Sequence, residues 1–300
     1  MDSFRNDFML APGSYLLNHS VGRPLKTAEW SFKQQFFAPW QDSGLEPWGD
    51  WLGIIEGFTQ ALSRLFNAPA SEFCPQVNLS SALTKLVMSV ERLQQKQTVV
   101  LMSEIDFPSM GFALRLALPS GCELRFIPAG CDITDASVWD SYLKADVDMV
   151  FVSHAYSNTG QLAPIQQVVE TARQRGSLSL IDIAQSAGVV PLDLAALQAD
   201  FMIGSSVKWL CGGPGAAYLW VNSQHLADCQ PKDVGWFSHE NPFEFDIHDF
   251  RYHQSALKFW GGTPSVAPFA IAVATSALTT ECLSTNSAGT FNTFILASVA

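Results

Sequence analysis

The chain has 300 residues, 48% of them hydrophobic and only 15% charged, with 17 basic against 28 acidic residues and a net charge of −11. That balance argues against a nucleic-acid partner, which needs clustered Lys and Arg, and 12% aromatic content excludes a disordered chain. Six cysteines (74, 122, 131, 211, 229, 282) show no CxxC spacing, the first 20 residues lack the apolar core of a signal peptide, and no window reaches the ~18 apolar residues of a membrane span; the expectation is a soluble, cytoplasmic protein with reduced thiols and no membrane partner.

In chain order, residues 26–66 have helical spacing and many aromatics, from Trp30 and Phe36 to Trp51 and Phe66. Short apolar runs then alternate with helical stretches. Val99–Met102 precedes Gly111–Leu118, Leu124–Ile127 precedes Ala136–Lys144, and Met149–Val152 precedes Ile165–Arg175. Leu178–Ile181, Phe201–Ile203 and Ala217–Val221 follow. Strands of this length, spaced by helices, predict an α/β fold with a mostly parallel central sheet covered by helices on both faces. Polar residues just beyond the strand C-termini should then form the site. From Cys282 to Ala300 no residue is charged, an unusual end for a folded domain.

Several chemistries fail on spacing. His239, Glu240, Glu244, Asp246, His248, Asp249 and His253 crowd one stretch, but without HExxH they read as a solvated acidic loop, so no metal is expected. Ser205-Ser206-Val207-Lys208 matches SxxK, yet Tyr156-Ser157-Asn158 precedes it where the penicillin-recognising order needs it to follow, and no KTG comes after. There is no phosphate loop, and Gly212-Gly213-Pro214-Gly215 lacks the third glycine of a dinucleotide fingerprint.

A lysine-centred arrangement remains. Asp182 ends one apolar run and Lys208 follows another, so both belong at the C-terminal edge of one sheet. A lone Asp there is usually a cap and a lone Lys usually a solvated charge. Val207, Trp209 and Leu210 around Lys208 instead give an apolar setting that lowers an ammonium pKa, which suits an imine-forming site.

The segments Ile181-Asp182-Ile183-Ala184-Gln185-Ser186-Ala187-Gly188, Gly204-Ser205-Ser206-Val207-Lys208-Trp209-Leu210 and Gly212-Gly213-Pro214-Gly215 resemble the class V aminotransferase superfamily, pyridoxal-phosphate enzymes of fold type I. Matches follow in order at 16–22, 78–83, 106–109, 153–160, 235–237 and 261–264, covering roughly residues 14–280. Phe107-Pro108-Ser109 and Gly235-Trp236-Phe237 look closest to kynureninase. The resemblance implies that Lys208 holds pyridoxal 5'-phosphate as a Schiff base and that Asp182 pairs with its ring nitrogen. It further implies Gln185 at the ring hydroxyl, Phe107 on the ring face, and Ser80 and Ser81, with Ser205 or Ser206, at the phosphate, Ser80 and Ser81 opening an apparent helix over 82–93. Ser153 or Asn158 would line the other edge, with Trp236 in the Gly-Trp-Phe segment. Thr263, in Gly262-Thr263-Pro264, would reach the phosphate of a neighbouring subunit, making a homodimer with interfacial sites.

The implied activity is that of an aminotransferase or kynureninase acting on a small amino acid. The alternatives are a cysteine-desulfurase-like lyase and, from another class, a catalytically decayed cofactor-binding module. Val207 stands where kynureninases place Tyr, and Cys282 lacks the desulfurase cysteine motif. Family members run considerably longer, so residues 1–260 are read as the large cofactor-binding domain and 261–300 as the start of an incomplete small domain. That missing part usually supplies an Arg for the substrate carboxylate, for which Arg23 is the nearest substitute, and slow turnover is expected.

Overall fold

The computed structural model describes residues 4–42 and 44–284, with side chains described as far as Thr275. The charge-free tail from residue 285 and the Cys282 side chain lie outside the described residues.

Seven strands form one sheet: β1 (Phe73–Gln76), β2 (Val99–Ser103), β3 (Glu123–Ile127), β4 (Met149–Ser153), β5 (Leu178–Asp182), β6 (Phe201–Ser205) and β7 (Ala217–Val221). Their order is β1-β7-β6-β5-β4-β2-β3. Strands β2 to β6 pair in parallel, and β7 runs antiparallel to both β6 and β1. The expected fold class is present, with β1 added beyond the runs read from the sequence. Its Pro75 and Gln76 interrupt the apolar pattern, and it spans only four residues.

Strand period two divides the interior into two cores. Leu101, Val150, Val152, Ile181, Met202, Tyr218 and Trp220 point to one face. There they pack on helices Trp48–Phe66, Ala136–Tyr142, Ile165–Arg175 and Ala267–Ser284. Val100, Met102, Met149, Phe151, Leu180, Ile203 and Leu219 point to the other, against helices Leu79–Ser89 and Pro108–Ala117. Because both faces are covered, the inner strands are mostly apolar rather than alternating, Ser179 being an interior exception.

The aromatic stretch is not one helix. It breaks into Ala28–Ser31, a wide π-helical turn at Phe32–Phe37, and Ala38–Asp42, before the long helix Trp48–Phe66. The extra residue in the wide turn coincides with Phe36 lying flat on Trp51, ring centroids 5.0 Å apart. Asn67 (φ 50) and Gly176 (φ 71) close their helices in the left-handed region.

Candidate active site

Parallel strands deliver their last residues to one edge, and here these are Ser103, Ser153, Asp182 and Ser205. The chain leaves β2 outward to β3 and then crosses back to β4, so the crevice opens where strand order reverses. A cavity of about 280 Å³ sits there, lined by Ser80, Phe107, Ser153, Tyr156, Asp182, Gln185, Ser205 and Lys208, with Asn78, Pro214 and Gly215. Strand ends, loops and a helix start thus face one another here, bringing together both members of the Asp182–Lys208 pair.

Each is held by its element. Asp182 pairs in register with Ser153 of β4 and Ile203 of β6. One carboxylate oxygen accepts the Ala184 N–H at 2.8 Å. Burial pushes the carboxyl up to about 6, against that hydrogen bond and the Lys208 charge, which lower it. Burial likewise lowers the Lys208 ammonium, partly offset by Asp182. The Lys208 amine stands 5.8 Å from the centre of the Phe107 ring. Pro108 opens a helix at its first position and keeps Phe107 extended, with the ring 53% exposed at the cavity mouth. Helix Leu79–Ser89 begins under the cavity, not at residue 82, because Asn78 is its N-cap and accepts the Ser81 N–H at 2.8 Å.

Gln185 is tied at both ends of its amide. Its oxygen accepts from the Trp209 indole at 3.0 Å, and its nitrogen donates to the His19 carbonyl at 3.0 Å. An N-terminal strap, residues 16–22, therefore lies across the Lys208 loop, and Gly22 N–H donates to the Val207 carbonyl at 2.9 Å. A second N–H of Gln185 is left for the cavity.

Other expected residues lie elsewhere. Ser206 alternates away from Ser205 onto the far side of the chain, fully buried beside Gly212, its hydroxyl without a hydrogen-bond partner. Ser81 faces an adjoining groove with Thr84, Lys85 and Phe112. Asn158 is exposed and reaches the Ile105 carbonyl at 3.5 Å. Trp236 and Thr263 bond to each other at 3.3 Å, outside the cavity, in an aromatic cluster with Trp48. Arg23 lays its guanidinium 3.7 Å over the Tyr15 ring and does not line the cavity. His239 of the acidic loop is engaged by the carbonyls of Asn241 and Asp249. No group of three His, Cys, Asp or Glu among the described residues could hold a metal ion.

Sequence reasoning missed Asp106, Tyr156 and Asn78. Asp106 is buried beneath the cavity, accepting from the Ser153 hydroxyl at 2.7 Å and the Ser103 N–H at 2.8 Å. The signal was present, since Asp106 directly precedes Phe107-Pro108-Ser109, but nothing local says that this carboxylate turns inward.

The family model described as Aminotransferase class-V matches residues 52–285. The chain is 30% identical over 250 residues to a protein named kynureninase from Burkholderia mallei (strain SAVP1), covering 80% of this chain and 59% of that protein. It is 28% identical over 281 residues to a kynureninase from Shouchella clausii (strain KSM-K16), covering 88% and 65%. The matched part thus spans less than two thirds of these relatives' length. Two solved structures share the fold at 20% identity. One is a C-DES mutant with glycine covalently linked to its PLP cofactor, with a TM-score of 0.84 over 93% of this chain and 74% of the other. The second is the apo cysteine desulfurase from Thermococcus onnurineus NA1, with a TM-score of 0.81 over 94% and 71%.

Proposed function

The chain belongs to the class-V aminotransferase family, and from that premise we propose that its cavity binds pyridoxal 5'-phosphate through Lys208 and acts on a small amino acid. One observation carries the reading: an apolar-flanked lysine and a fully buried aspartate, from successive strand ends, converge on one cavity with an aromatic ring at its mouth.

The residues fit that group. One oxygen of Asp182 is satisfied by Ala184, while its carboxyl on the cavity wall still calls for a donated proton, which a ring N–H provides. The Leu79 and Ser80 N–H groups at the open helix N-terminus, with the hydroxyls of Ser80 and Ser205, suit a phosphate dianion. Phe107 covers one ring face, and Gln185 and Ser153 border the edge. When bound, pyridoxal phosphate supplies an electron sink for a carbanion next to an amino nitrogen. Lys208, with its ammonium lowered by burial, would hold the group's carbonyl carbon through Nζ with release of water, and would carry a proton at Nζ. Asp182 keeps the opposite ring edge protonated.

Kynureninase-type Cβ cleavage or transamination is favoured over desulfuration. None of the five described free cysteines lines the cavity, and burial pushes the thiols of Cys74 and Cys211 up to about 12 and that of Cys229 to about 11, which disfavours their thiolates. Those free thiols also support a cytoplasmic location. A homodimer is part of the proposal. Exposed Phe112, Leu116 and Met88 flank the groove next to the cavity, and Trp236 and Thr263 stand outside their own cavity, where they can serve a partner's. The large unit, expected to end near residue 260, extends further, because helix Ala267–Ser284 packs Phe269, Ala270 and Ala272 into its core.

The test is borohydride reduction of the protein loaded with pyridoxal phosphate, followed by peptide mapping. A tag on Lys208 is expected, and a tag on any of the other seven lysines overturns the assignment. Incubation with kynurenine, cysteine and other amino acids then assigns the reaction: alanine from kynurenine marks Cβ cleavage, a keto acid transamination, and sulfide the desulfurase alternative. Absence of any tag supports the decayed module.

A further inference from the structure

Beneath the cavity Ser153 is paired with a carboxylate, Asp106, that has no part in the proposed function. Ser153 is buried at the end of β4, in register with Asp182, and lines the cavity. A serine hydroxyl has one proton, and Ser153 gives it to Asp106 at 2.7 Å. The other Asp106 oxygen is fixed by the Ser103 N–H at 2.8 Å, so this carboxyl cannot turn away. With Asp106 ionised, the Ser153 oxygen therefore meets the cavity with lone pairs only.

Resting on the proposed cofactor reading, we propose that Asp106 is a positioning residue that locks Ser153 as a hydrogen-bond acceptor, so that Ser153 and Asp182 form one acceptor edge selecting a proton-donating heteroaromatic ring edge. The groups facing Asp106 are Asp182 on β5 and Tyr156 after β4, with Lys208 beyond Asp182; Glu104 on its own loop is turned to the Ala129 N–H. Tyr156 is buried and its hydroxyl lies on the Ser103 side, with no hydrogen bond to Asp106. Asp182 is the neighbouring acid, and its charge opposes that of Asp106. A ligand bringing a shared proton to this edge relieves both.

The Ser103 N–H makes the test sharp. In Asp106→Asn the amide oxygen must stay toward Ser103, which turns the NH₂ toward Ser153 and forces the serine proton into the cavity. The shape is preserved while the polarity of one wall atom inverts. Affinity for pyridoxal phosphate is measured by equilibrium dialysis on apo-protein for wild type, Asp106→Asn, Ser153→Ala and the double variant, with circular dichroism melts for each. Asp106→Asn should weaken binding about 10–100-fold, the cost of opposed buried donors, and Ser153→Ala only a few-fold. In the Ser153→Ala background Asp106→Asn should add less than about 3-fold, because the group it acts through is gone. The pH midpoint of the bound cofactor's visible band should shift in Asp106→Asn, and the same substitution in the Ser153→Ala background should move it far less. Equal penalties for Asp106→Asn in both backgrounds, or an unmoved midpoint, overturn the proposal and leave the cofactor assignment intact. Wild-type protein that binds no pyridoxal phosphate overturns the cofactor reading and this inference with it.

Discussion

Gly22→Ala is the most direct test of the strap across the lysine loop. Gly22 does not have positive φ, so alanine fits its backbone, and at an open site the change would stabilise by about 0.4–1 kcal/mol through the unfolded chain. Here the added Cβ would stand 2.0 Å from the Lys208 carbonyl oxygen, 2.7 Å from Cys211 Sγ and 2.9 Å from Cys211 Cα, where ordinary contact begins near 3.4 Å. Two of those neighbours are backbone, so no side-chain rotation relieves the clash. The strap must lift, breaking the 2.9 Å bond from Gly22 to Val207 and straining the one from Gln185 to His19. Overpacking costs about 1–3 kcal/mol and a lost hydrogen bond about 1 kcal/mol, so a loss of about 2–4 kcal/mol is expected. Urea unfolding of apo-protein, with m unchanged, measures it. Lys208, released from the strap, should also lose its uniform borohydride labelling. A variant as stable as wild type, or more stable, refutes the close approach.

Further outcomes follow from the same geometry. Asp182→Asn should reduce turnover far more than cofactor affinity, since the phosphate contacts persist; equal activity in variant and wild type contradicts the role. Burial pushes Asp106 up to about 7 and Asp182 up to about 6, from an ordinary 3.8. The folded apo-protein thus holds protons that the unfolded chain releases, so its stability is greatest below about pH 4 with respect to these groups and is lost as pH rises toward 7, by a few kcal/mol in all. Melting of apo-protein across pH 5 to 8 checks this, and Asp106→Asn should flatten the slope. Asn78→Ala removes a helix cap and should cost about 0.5–2 kcal/mol by denaturant melt. Sedimentation of the loaded protein should give a dimer; a monomer that keeps its cofactor refutes the interfacial site.

The sheet was legible because its strands are buried on both faces and therefore mostly apolar, as in Met149–Val152, with Ser179 the one polar residue inside Leu178–Ile181. The active edge was legible for the same reason, since an isolated Asp182 or Lys208 stands out after such a run. What stayed hidden depends on direction. Ser205 and Ser206 are equivalent as letters, and only the strand's alternation separates the one facing the cavity from the one behind it. Asn158 and Ser81 sit next to residues that do enter the cavity, but one is carried outward on an exposed turn and the other around the helix. Asp106 was invisible because its meaning comes from Ser153, 47 residues away. The broken helix at 28–42 was masked by aromatic spacing, although Pro39 and Pro47 marked the interruption.

The sheet also has a second rim. At the opposite ends of the parallel strands, Asp148 accepts the Val99 N–H at 2.9 Å and Asp200 accepts the Ser179 N–H at 2.7 Å, with His225 on the other Asp200 oxygen at 2.6 Å. These carboxylates close off the strand starts as Asn78 closes a helix start. The molecule thereby separates its duties by length along a strand of five residues: one end anchors, the other reacts. Changes at Asp148 or Asp200 should register in melting temperature and leave ligand affinity where it was, so the anchoring rim can be rebuilt for hardiness without retuning the chemistry above it.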